Sequence, residues 1–153
     1  MKILISSCVL GQNVRWNGTN CLYEDITTWA LDEGIELVPV CPEHELFGTP
    51  RPPIRLELIG EMGIRGHMGK KDVYRDLMDK SFEISRRYPD AVGFIGIAKS
   101  PTCGISVGVR SLGTTIKGAM HAQVPFPSTE INSLRTGKAR ELFLKRVRKY
   151  ENR

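Results

Sequence analysis

The chain has 153 residues, 41% of them hydrophobic and 25% charged, with a formal net charge of +5. These values describe one ordinary globular domain and exclude a fibrous repeat or wholesale disorder. No apolar run approaches the roughly 18 residues a membrane span needs. Met1-Lys2-Ile3-Leu4-Ile5 is too short an apolar start for a secretory signal. The expected location is therefore the cytoplasm.

Residues 2–7 are an apolar run that reads as a buried strand. A loop rich in turn formers follows, with Gly11, Asn13, Asn17 and Gly18. Residues 22–33 read as a helix ending before Gly34, and 35–40 as a second strand with Pro39 at its end. Residues 42–53 carry four prolines and read as a stiff irregular loop. Residues 54–65 suit an edge hairpin or extended arm. An apolar stripe of Val73, Leu77, Ile84 and Tyr88 predicts a helix over 70–88, stopped by Pro89. Residues 91–97 are a third buried strand. Gly108, Gly113 and Gly118 argue against a long helix over 105–121. Val124-Pro125-Phe126 suits a short fourth strand, Ser128 a helix N-cap, Gly137 a break, and 138–150 a basic amphipathic helix.

Strands alternating with helices predict an α/β fold with a mostly parallel sheet. The division expected is an α/β domain over 1–134 and a basic helical tail over 135–153. That tail holds eight basic and two acidic residues, a balance of +6, which leaves the rest of the chain at −1. A basic stretch of this kind suits either a solvated amphipathic helix or a grip on RNA phosphates.

The cysteines are Cys8, Cys21, Cys41 and Cys103, with no CxxC pair. Disulfides are not expected in a reducing compartment. Cys8, Cys41 and Cys103 each follow a predicted strand. In a parallel sheet those strand ends share one edge, the edge where such folds bind ligands. Three thiolates gathered there suit a metal centre with one open position, as in a 4Fe–4S cluster short of its usual fourth cysteine. The alternatives are a zinc site with Cys21 as the fourth ligand, or cysteines that serve only as small core residues.

The neighbours of these cysteines carry chemistry. Glu43 suits a general acid or base where the site is dry enough for desolvation to favour the neutral carboxyl, or else a carboxylate that caps a helix or loop. Ser100 and Thr102 suit hydrogen bonds to a substrate or to cluster sulfur, or plain turn formation. Arg15 and Arg51 suit an anion or a planar polar ring, or plain surface or structural roles. His67 and His121 stand alone. There is no GxGxxG or GxSxG, and Gly63–Lys70 is only a loose echo of a P-loop.

Four blocks now converge: Cys8-Val9-Leu10-Gly11-Gln12-Asn13-Val14-Arg15, Val38-Pro39-Val40-Cys41-Pro42-Glu43, Thr49-Pro50-Arg51-Pro52-Pro53 and Lys99-Ser100-Pro101-Thr102-Cys103-Gly104. In this order, over residues 2–134, the chain resembles the thiouracil desulfurase family. The resemblance implies a Rossmann-like α/β fold. It implies a 4Fe–4S cluster on Cys8, Cys41 and Cys103, with the open iron taking sulfur from a thiolated pyrimidine. It implies Glu43 and Ser100 as the assisting groups. Two stretches depart from the family pattern. Asn17-Gly18-Thr19 stands where an Asp and two glycines are expected, and His44–Gly48 replaces a small, glycine-rich run. Asn17 is thus a candidate substrate contact of altered charge. The expected substrate is a small thiolated base or nucleotide. The remaining alternatives are a metal-stabilised RNA-binding module using the basic tail, and a cluster-bearing sulfur carrier.

Overall fold

The computed structural model describes residues 1–153. The chain opens with β1 (Lys2–Ser6). Ile3, Leu4 and Ile5 are all fully buried, as a strand covered on both faces requires. One 3-10 turn, Ser7–Leu10, follows directly and is closed by Gly11 at φ 89°. Then come α1 (Asp25–Asp32) and β2 (Glu36–Val40). Pro39 pairs opposite Ile5, and β2 is an edge strand, so the missing amide faces no second neighbour.

The first correction falls at residues 42–53. The segment opens with a short helix, α2 (Pro42–Phe47), rather than an irregular loop. Pro42 occupies the first turn, where its missing N–H has no helical partner to lose and its φ is already helical. Gly48 ends the helix at φ 73°. Arg87 donates to both carboxylate oxygens of Glu45, at 3.2 and 2.7 Å, and ties α2 to the next long helix.

The expected arm is an antiparallel hairpin of β3 (Ile54–Leu58) and β4 (Ile64–Met68), extended by β5 (Lys71–Asp72). Because Lys71 and Asp72 are taken by that sheet, α3 runs over Tyr74–Arg87 and starts later than its apolar stripe suggests. β6 (Ala91–Gly96) follows. The glycine-rich stretch holds β7 (Val107–Gly108), β8 (Thr115–Ile116) and a short helix, α4 (Ala119–Gln123).

Two further corrections follow. The fourth strand is β9 (Ser128–Glu130), not 124–126, where Pro125 and Pro127 lack the amides a ladder needs. Ser128 therefore caps no helix. The last helix is α5 (Gly137–Glu151), with Gly137 as its first residue; the Thr136 hydroxyl accepts from the Ala139 amide at 3.1 Å and supplies the cap.

The central sheet has the order β2-β1-β6-β9, and every pairing in it is parallel. Successive residues of a strand face opposite sides. Ile3, Ile5 and Ile95 pack with Ile26 and Ala30 of α1 and with Phe143, Leu144 and Val147 of α5. Leu4 and Phe94 pack with Ile84 of α3 and Met120 of α4. The result is a mixed α/β fold with helices on both faces of the sheet. Arg140 and Arg148 of α5 bond to Asp25 and Glu33 at 3.0 and 3.2 Å. No helix is long and apolar enough to cross a membrane.

Candidate functional site

The carboxyl ends of the four parallel strands form one edge, as the sequence pattern required. Ser6 pairs with Val40, and Gly96 with Glu130. Cys8 lies in the 3-10 turn just beyond β1, and Cys41 directly follows β2. Cys103 is seven positions past the end of β6, but the chain doubles back. The Ile97 amide donates to the Cys103 carbonyl at 3.0 Å and continues the line of the strand.

The return loop is closely packed. A Cβ at Gly96 would overlap the Cys103 carbonyl, and one at Gly118 would come within 2.5 Å of the Gly104 carbonyl. The Ser100 hydroxyl oxygen accepts from the amides of Cys103 and Thr102 at 2.9 and 3.3 Å. The Met120 amide of α4 donates to the Thr102 carbonyl at 2.8 Å. His121 is buried and lies 2.8 Å from the Cys103 carbonyl through Nε2 and 2.9 Å from the Ser128 hydroxyl through Nδ1. Burial holds its pKa below the ordinary value, which favours the neutral ring. A carbonyl only accepts, so Nε2 carries the proton and Nδ1 accepts from Ser128. His121 is thus a prop for Cys103.

Cys8, Cys41 and Cys103 all line one cavity of about 210 Å³. All three are free thiols; Cys8 and Cys103 are buried and Cys41 half-buried. Burial pushes the Cys8 thiol up to about 12, with further increments from Cys21 and Cys41. Burial also raises Cys41, and raises Cys103 well above the ordinary thiol value, where Cys41 and Cys8 add to the effect. Each thiolate thus opposes the next. The Ser6 hydroxyl lines the same cavity, is fully enclosed, and has no hydrogen-bond partner. A Cys103 thiolate would supply one, since a Ser6 bond favours that form.

The opposite wall is polar. Glu43, on the first turn of α2, is only 9% exposed. Its Oε1 accepts from Arg51 Nε at 3.3 Å and its Oε2 from the Thr102 hydroxyl at 2.7 Å. The Arg51 guanidinium also donates to the Gly48 carbonyl and the Thr49 hydroxyl, at 3.0 and 2.9 Å. Arg51 is therefore buried and committed to holding Glu43 and its loop. Ser100 and Arg15 line the cavity, and Arg15 also donates to the Cys21 sulfur at 3.1 Å.

Not every candidate converges here. Asn17 is exposed and outside the cavity lining; its Oδ1 accepts from the Thr19 hydroxyl and amide at 2.6 and 3.3 Å. Cys21 also lies outside the lining. Two features were not foreseen from sequence: Trp16 at the mouth, and the hydrogen bond that joins the candidates Thr102 and Glu43. Their only signal was proximity to a cysteine or a motif arginine.

Comparison with known proteins gives the same direction. A family model described as 2-thiouracil desulfurase matches residues 3–125. No curated protein matches. Among solved structures, a 4Fe-4S-dependent thiouracil desulfidase, TudS, aligns with a TM-score of 0.71 at 24% identity, over 94% of this chain and 96% of that one. This chain shares its fold.

Proposed function

The chain belongs to the 2-thiouracil desulfurase family, and from that premise we propose that it removes sulfur from a thiolated pyrimidine at a 4Fe–4S cluster held by Cys8, Cys41 and Cys103. The substrate is thiouracil or a thiouridine nucleotide. The reaction exchanges the C=S sulfur for the oxygen of water, giving the C=O compound and hydrogen sulfide without net redox change. The observation that carries this reading is the meeting of three strand-end cysteines and a buried carboxylate in one cavity.

The donor set fits such a cluster. Two buried thiols and a half-buried one, all raised by desolvation, need a cationic centre to become thiolates. The orphaned Ser6 hydroxyl supports a thiolate at Cys103.

When bound, the cluster supplies a soft, electron-withdrawing iron atom with a free position for the substrate sulfur. Glu43 takes the protons of the attacking water one at a time, the first at attack and the second as the C=O forms, and returns each to the departing sulfur. Arg51 and Thr102 hold its two oxygens, so the carboxylate does not swing away. The Ser100 oxygen is occupied by two amides, which leaves its own proton free to donate to the substrate. Arg15 places a cation at the cavity wall for the polar edge of the ring.

The test is anaerobic purification, with iron and acid-labile sulfide analysis and sulfide release from 2-thiouracil, on wild type and Cys103→Ala. The expected result is about four irons per chain and turnover, both lost in the variant. Stoichiometric zinc, or a variant that keeps iron and activity, overturns the reading. A cluster-loaded protein that turns over no thiolated pyrimidine indicates a sulfur carrier instead.

A further inference from the structure

We infer that the indole of Trp16 is the surface on which the pyrimidine ring of the substrate stacks. The inference rests on the pyrimidine reading above and names the residue that selects for a planar ring. Trp16 is the one aromatic side chain among those lining the cavity. The rest of the wall is small, aliphatic, charged or proline. A flat heterocycle entering here meets a single extended π-surface.

The indole stands outside the buried core. Trp16 is 43% exposed. It belongs to none of the three apolar clusters of the molecule, unlike Trp29, which packs against the core. A large aromatic left at a cavity mouth forgoes the burial that normally holds such side chains inside.

Its backbone, in contrast, is fixed. The Arg51 amide donates to the Trp16 carbonyl at 2.8 Å. The turn around it is closed by Gly18 N to Arg15 O at 2.8 Å and Arg15 N to Thr19 O at 3.1 Å. Arg51 also holds Glu43, so one residue sets both the indole's anchor point and the carboxylate. A tryptophan has only two side-chain torsions to order, so a pinned backbone makes it an inexpensive platform. Stacking of a base on an aromatic side chain tolerates any base identity. It therefore selects for planarity, while the sulfur itself is selected at the cysteine wall.

The chain has two tryptophans, so Trp29→Phe leaves Trp16 as the sole indole fluorophore. In that variant, uracil and 2-thiouracil are expected to quench the emission saturably. In iron-loaded protein, Trp16→Ala is expected to raise KM for 2-thiouracil by about 5- to 150-fold, more than it lowers kcat, and Trp16→Tyr to recover most of the loss. An unchanged KM in Trp16→Ala, with wild type turning over, overturns the stacking and leaves desulfuration standing. Uracil binding seen by calorimetry without any quenching does the same. If no thiolated pyrimidine is turned over, calorimetric uracil binding still decides: weaker binding in Trp16→Ala supports the stack, and no binding in wild type overturns it together with the substrate reading.

Discussion

The two walls of the cavity are built by opposite means. The cysteine wall is set by backbone. Cys41 follows a strand end directly, Cys8 sits in the turn just beyond another, and Cys103 is returned to a third by the Ile97 amide and a glycine that admits its carbonyl. The carboxylate wall is set by side chains. Glu43 sits on a six-residue helix and is held by one guanidinium and one hydroxyl. The difference follows from the chemistry proposed for each. Metal ligands must stand at fixed separations, and a parallel sheet is the least deformable part of the fold. A proton-handling group needs only to reach its target, and hydrogen bonds to neighbours suffice to aim it.

The sharpest way to break this contrast is to disturb the cysteine wall without touching a thiol. Gly96→Ala places a Cβ against the Cys103 carbonyl and the His121 ring. Neither is the free end of a flexible chain, so the loop must move. Stability is expected to fall by about 3 kcal/mol or more, with iron content falling alongside it. Urea unfolding and iron analysis measure both. A variant with full iron and wild-type stability would show that the Cys103 position is not fixed by strand β6.

The carboxylate wall should respond in the opposite way. Glu43→Gln keeps the shape and an acceptor for Thr102 but removes the charge. Iron content is expected to stay at the wild-type value while kcat falls about 100-fold or more. The Arg51 side chain is 4% exposed and loses its counter-ion, so stability is expected to drop by about 3 kcal/mol. Turnover measured per iron-loaded chain separates the two effects. Full turnover in Glu43→Gln would remove the proposed proton transfer.

The same contrast explains what was legible in the sequence. The central sheet was readable because fully buried strands are short apolar runs between turn signals, as in 2–7 and 91–97, where the strands are Lys2–Ser6 and Ala91–Gly96. That placed Cys8, Cys41 and Cys103 on one edge. Helix α2 was hidden because four prolines in twelve residues read as breakage, although Pro42 at a helix start is favourable. The fourth strand was misplaced by a few residues because Phe126 is more apolar than Ser128-Thr129-Glu130. The bond between Glu43 and Thr102 joins residues 59 positions apart. No local pattern encodes such a pair, and only the fold brings it together.

His121 is expected to give an intermediate effect. His121→Leu keeps the volume but leaves the Cys103 carbonyl and the Ser128 hydroxyl without their ring partners. A loss of about 2 kcal/mol is expected, with His121→Gln recovering part of it through its amide donor. Equal stability of the Leu and Gln variants would mean that the ring merely fills space.

The smallest effect should come from Asn17, the position where the family pattern has an acid. Its carboxamide oxygen accepts from the Thr19 hydroxyl and amide, at the surface and outside the cavity. An Asp carboxylate accepts the same two bonds. Asn17→Asp is therefore expected to change stability and KM for 2-thiouracil by no more than about twofold, the range of an ordinary surface substitution. A tenfold change in KM would bring the Asn17–Thr19 loop into contact with substrate. The carboxylate wall would then extend past Arg51 to the mouth of the cavity, and Trp16 would lie between two polar groups rather than at an open edge.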